Sequence, residues 1–173
     1  MGYPRCVTAP DRADEVDQLL AAWRLERPDV DVSPLEVFSR VSRVAVYADR
    51  ERRDAFDAHG LEPWGFDVLA ALRRAGSPYA LSPTALIRST LVTSATMTHR
   101  IDRLESAGLV TRAPDPQDRR GVRVALTDAG RERVDAALSD LVRAEEALLA
   151  GVSDAERSTL AALLRRILRP LEA

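Results

Sequence analysis

Between Leu81 and Gly130 the sequence sets polar and cationic side chains at spacings suited to gripping a nucleic acid. Met97, Ile101 and Leu104 recur at i, i+4 and i+7, which predicts a helix with one buried stripe. Thr98, His99 and Arg103 fall away from that stripe and can reach base edges, while Ser94 and Thr96, near the start of the helix, suit phosphate. Farther on, Asp118, Arg119 and Arg120 occupy a tip between two predicted strands. Guanidinium groups on such a tip can enter a minor groove, with Asp118 steadying them.

The elements that must position these residues are legible around them. Ser82 suits a helix N-cap and Pro83 the first helical position, where a missing N–H costs nothing. Ser89 and Thr90 mark a turn, and Thr93 or Ser94 can cap the second helix. Gly108 stands where a left-handed residue would end that helix. Leu109–Arg112 reads as a strand ended by Pro114 and Pro116, which cannot donate to a ladder. In the return strand Val122–Leu126 the Val and Leu positions are expected to face the core and Arg123 the solvent. Helix, turn, helix and a two-stranded wing make a winged helix-turn-helix.

The flanks read as helices. Val16, Leu19, Leu20 and Trp23 form one amphipathic stripe, ended by Pro28. Ser33-Pro34-Leu35-Glu36 has the form of a capping box opening a longer helix, with Phe38, Val41, Val44, Ala45 and Ala48 as its expected buried stripe and His59-Gly60 near its end. Pro63 begins a third helix carrying Phe66, Leu69 and Leu72. After the wing, Val134, Leu138, Leu141, Val142, Leu148 and Leu149 mark a long helix stopped at Gly151. Ser153–Glu156 is a second capping box, opening a final helix rich in leucine from Leu160 to Leu171. The fold class expected is mainly α with a small β wing. Residues 1–173 form one domain, with 61–126 as the DNA-binding part and 11–60 and 127–173 as flanking dimerisation helices. The last helices carry more leucine than a small winged module can cover, so a homodimer is expected. A two-fold would set two recognition helices on two half-sites of double-stranded DNA.

Composition bounds the alternatives. The chain has 173 residues, 46% of them apolar but only 5% aromatic, which predicts an aliphatic core. A net charge of −2 argues against a general nucleic-acid binder, yet Met97–Arg123 holds six arginines against four acids. The field at the contact surface steers binding, not the whole-chain total. Every basic residue other than histidine is arginine, as a GC-rich genome would favour. No signal peptide or membrane-length apolar run is evident, so a cytoplasmic protein without membrane attachment is expected.

The wing run Asp118-Arg119-Arg120, Val124-Ala125-Leu126-Thr127 and Gly130, with Arg103–Val110 before it, resembles the MarR family of bacterial transcription regulators. The resemblance covers most of the chain and implies an obligate homodimer. The N-terminal helix with Trp23–Asp29 is similar to that of the family's urate-responsive subgroup. That likeness implies an anion-sensing site at Trp23, Asp67, Arg100 and Arg112, with urate, another purine or a tricarboxylate as ligand. Two guanidinium groups and an aromatic surface suit such an anion. Trp23 can equally be core, Asp67 a structural ion-pair partner, and Arg112 a phosphate contact. Arg100 falls beside the apolar stripe of its helix and not opposite it.

Other chemistry finds little footing. Cys6, the only cysteine, would make the protein a redox-sensing regulator if it were activated, but Arg5 is its one basic neighbour. Two distant histidines and one cysteine make no metal site, and no cofactor is expected. No nucleophile elbow, phosphate loop or paired-histidine motif appears, so an enzyme is not expected. A winged-helix protein-interaction module that does not bind DNA is the other reading open at this level.

Overall fold

A computed structural model describes residues 13–90, 92–115 and 121–172. Cys6 and the wing tip Asp118, Arg119 and Arg120 lie outside the described residues. The order of elements is α1 (Glu15–Glu26), α2 (Ser33–Asp57), α3 (Pro63–Arg74), β1 (Ala80–Leu81), α4 (Pro83–Thr90), α5 (Ser94–Ser106), β2 (Val110–Pro114), β3 (Val122–Leu126), α6 (Asp128–Leu148) and α7 (Asp154–Leu168). The class is the expected one, mainly helical with a small antiparallel sheet. The chain divides into two compact units, one up to Asp49 and one from Arg50.

In the first unit Asp14 caps α1, accepting from the backbone of Val16 and Asp17, while Asp17 reaches back to the Asp14 amide. Val16, Leu20 and Val32 are buried, and Leu35 packs against them. Arg40 ties α2 to α1 through Asp14 at 2.8 Å and Asp17 at 2.7 Å. The expected capping box at Ser33 is absent. Ser33 is already helical and donates its amide and hydroxyl to Asp31, while Glu36 pairs with Arg24. An Asx turn therefore starts α2, and a guanidinium outcompetes the backbone for the glutamate. The stripe Phe38, Val41 and Val44 is exposed in the chain, and the buried residues of α2 are Ala55 and Phe56.

The second unit holds the main core. Phe56 stacks on Phe66 with ring centroids 4.1 Å apart. Leu69, Leu72, Leu86, Met97, Ile101, Val110, Val124 and Val134 join them, so the core runs past residues 61–126 in both directions. The sheet has three strands in the order β1-β3-β2, one more than expected. Ala80 and Leu81 pair antiparallel with Ala125 and Val124. Arg123 is also placed differently from expectation. It is half-buried and donates through Nη2 to the Ala80 carbonyl at 2.8 Å, so the added strand covers it. Val122 takes the exposed position and Val124 the core.

Candidate nucleic-acid interface

The helix-turn-helix is α4 and α5. Ser82 Oγ accepts the Ala85 amide at 3.2 Å, and Ser89 and Thr90 donate their hydroxyls to the Leu86 carbonyl. Those last two bonds satisfy the end of α4 over a fully buried leucine. Thr93 is the N-cap of α5, its hydroxyl accepting from the Thr96 amide at 3.3 Å. Met97, Ile101 and Leu104 face the core, leaving Ser94, Thr96, Thr98, His99 and Arg103 exposed. Thr98 donates back to the Ser94 carbonyl at 3.1 Å, which keeps its oxygen lone pairs free to accept.

The far end of α5 is fixed more tightly than its start. Gly108 is left-handed at φ 70°, with Leu109 N–H returning to the Leu104 carbonyl and Gly108 N–H to that of Glu105. This is the double closure of a Schellman motif. Thr127 then donates its hydroxyl to Gly108 O at 2.8 Å and its amide to Leu109 O at 3.1 Å. A Cβ on Gly130 would lie 2.0 Å from that same Leu109 oxygen. The residues after the wing are thus fastened to the end of the recognition helix, and only glycine permits the approach.

The wing base is held from the other side. Arg112 donates to Asp102 at 2.5 Å and to Glu105 at 2.6 Å, and its amide donates to Glu105 at 3.1 Å. Arg100 lies on the opposite flank of α5, its guanidinium carbon 5.7 Å from the Trp64 ring centroid. Arg103 shares that ring at 4.8 Å and pairs with Glu62 at 2.7 Å. Asp67 is exposed on α3, one helical turn beyond Trp64. Arg100 and Arg112 thus lie on different flanks of α5. Trp23 is 47% exposed on α1 of the first unit, so the chain does not bury it as core.

Glu62 and Trp64 were not foreseen. Trp64 Nε1 donates to Glu62 at 2.5 Å, and with Arg103 this holds the Glu62 carboxyl below its ordinary value, the indole bond being the larger cause. Glu62 is 41 residues from Arg103, so no local periodicity links them. Among the described residues no cluster of three His, Cys, Asp or Glu side chains could hold a metal, and no helix is long and apolar enough to cross a membrane.

A capped polar helix presented beside a short sheet, with the helix end and wing base cross-linked, defines a winged helix-turn-helix protein. Comparison with known proteins agrees. Residues 59–121 match the model of the MarR family. The chain is 40% identical over 153 residues to the HTH-type transcriptional regulator PecS of Dickeya dadantii, covering 88% of this chain and 92% of PecS. Among solved structures it is similar to Bordetella bronchiseptica BpsR, described for regulation of its DNA binding by 6-hydroxynicotinic acid (30% identity, TM-score 0.57, 73% of this chain and 91% of that one). It is also similar to a mutant MarR from E. coli complexed with operator DNA (25% identity, TM-score 0.64, 90% of this chain and 99% of that one). The chain belongs to the MarR family of DNA-binding transcriptional regulators, and it is not an enzyme.

Proposed function

We propose that this regulator is a cytoplasmic homodimeric repressor that binds a pseudo-palindromic operator and is released by a small anionic metabolite. The observation that carries the reading is the exposed polar face of α5, held rigid at both ends. Thr98 and His99 meet base edges with Arg103 beside them, Ser94 and Thr96 sit near phosphate, and Arg119 and Arg120 enter the minor groove. The likeness to a MarR–operator complex supports this assignment. The apolar faces that α2, α6 and α7 leave exposed support a second copy as their cover. Titration of DNA at several salt concentrations tests the wing. Arg119→Ala with Arg120→Ala weakens binding to all sequences and makes the salt slope shallower by up to about four, because the homodimer neutralises four fewer phosphate charges. An unchanged slope would show that the wing does not touch DNA.

Trp23, Asp67, Arg100 and Arg112 are the residues proposed to answer the metabolite, of urate, purine or tricarboxylate class. The regulation named for BpsR supports a small carboxylated or heteroaromatic effector. An anion near Asp67 repels it and shifts the recognition element, lowering DNA affinity by the factor with which DNA lowers ligand affinity. Urate, xanthine, citrate and aconitate are screened by Trp23 emission in a Trp64→Phe background. Asp67→Asn keeps ligand binding but loses DNA release. Full release at the same occupancy as wild type would leave Asp67 without that role.

A further inference from the structure

Arg103 leaves α5 on the flank facing the start of α3. Its Nη2 donates to Glu62 Oε1 at 2.7 Å and its guanidinium carbon lies 4.8 Å from the Trp64 ring centroid. The other Glu62 oxygen accepts the Trp64 indole N–H at 2.5 Å. One carboxylate therefore fixes both the ring and the cation lying over it. Glu62 is the N-cap residue of α3 but makes no capping bond, so the start of that helix does not account for its side chain.

The side chains of Arg103 and Glu62 are 51% and 53% exposed. An ion pair so open to water holds its partners by less than about a factor of five. A DNA phosphate is the same kind of ligand as this carboxylate, a pair of anionic oxygens accepting from a guanidinium fork. It also releases counterions when a cation reaches it, which the carboxylate does not. The ring beneath Arg103 keeps the guanidinium at the edge of the recognition helix, where exchange needs only a small movement.

We propose that Glu62 is an internal competitor for DNA: its carboxylate holds Arg103 over Trp64 in the free protein, and the phosphate backbone takes Arg103 from it in the complex. This rests on α5 being the DNA-contacting helix. It moves Arg103 from the base-edge role expected from its position on α5 to affinity for any duplex, and it makes Glu62 a setting on that affinity without touching a base.

The test is a double-mutant cycle on the full chain, read by anisotropy of a fluorescein-labelled random-sequence duplex three helical turns long. The variants are Glu62→Gln, Arg103→Ala and the two combined, with circular dichroism verifying that each is folded. Glu62→Gln is expected to tighten binding by about three- to tenfold, since it removes both the competitor and a charge that repels phosphate. In the Arg103→Ala background the same change is expected to give less than about a twofold gain, because no guanidinium is left to release. No gain, or a loss, from Glu62→Gln alone would overturn the proposal. An equal gain in both backgrounds would also overturn it, reducing the effect to net charge. Failure of the wild-type chain to bind any duplex at low salt would overturn the DNA-binding reading and this proposal with it.

Discussion

The helix-turn-helix region and the last helix treat their leucines in opposite ways. Leu69, Leu72 and Leu86 are wholly buried by elements of their own unit. Helix α7 buries none of its residues, and Leu160, Leu163, Ile167 and Leu168 are each more than a third exposed. Helix α6 carries both patterns at once: Val134, Ala137 and Leu141 lie in the core while Leu138, Val142 and Leu148 face outward. The difference teaches that the winged unit buries a core of its own, whereas the terminal helix has an apolar surface that its own unit leaves uncovered. Isolated exposed leucines are ordinary, but a continuous stripe on two successive helices is the mark of an interface.

The strongest way to break this comparison is to end the chain before Ser153. Because α7 supplies no buried residue, the winged core is expected to keep its fold and its cooperative unfolding. Sedimentation should then find a monomer, and operator affinity should fall by about a hundredfold or more, because two half-sites are no longer engaged together. A truncated chain that remains a stable dimer would place the interface elsewhere and remove the contrast.

Two glycines sharpen the same comparison. Gly130 sits where a methyl group would meet the Leu109 backbone oxygen at 2.0 Å, whereas nothing lies within 4 Å of the corresponding position on Gly151, between α6 and α7. Gly130→Ala should cost about 2–3 kcal/mol, since backbone must move to admit the methyl. Gly151→Ala should stay within about half a kcal/mol. Urea titration reads both as shifts in midpoint at constant slope. Equal effects would mean that the junction of α5 and wing yields more easily than its hydrogen bonds suggest.

What the sequence disclosed follows the same division. The stripe Met97–Ile101–Leu104, the left-handed Gly108 and the strands of the wing were legible because each is written in a local period or a residue with one conformational use. Strand β1 was not, for two residues carry no alternation and owe their state to pairing with Ala125 and Val124. The stripe of α2 was read correctly as apolar but not as uncovered, since periodicity identifies a face and not what packs on it. On α5 the exposed face was legible, and the ion-pair partners of Arg103 and Arg112 were not. Glu62 for Arg103 and Glu105 with Asp102 for Arg112 are choices among many acids, made by tertiary placement.

The smallest expected effect concerns the first unit, whose apolar interior is three buried residues and whose helices are laced by exposed ion pairs. Asp14 is central there, capping α1 and accepting from Arg40, and the Arg40 guanidinium is the chief cause holding its carboxyl below the ordinary value. A carboxyl so depressed contributes stability that is complete above its unfolded value, about 3.9, and is lost as pH falls through the lower folded value. Acid should therefore loosen α1 from α2 before it disturbs the buried core of the second unit. Trp23 lies on α1 and reports this unit, whereas Trp64 on α3 is bonded to the titrating Glu62 carboxylate and would report that group instead. In a Trp64→Phe chain, Trp23 emission should begin to change at a higher pH than the cooperative loss of helix read by circular dichroism. Asp14→Asn should displace the Trp23 signal already at neutral pH and flatten its acid step, since the group that titrates is gone. Coincidence of the Trp23 change with the cooperative loss of helix would show that α1 is lost only with the core, and the contrast drawn between a self-sufficient core and its lightly held flank would not extend to α1.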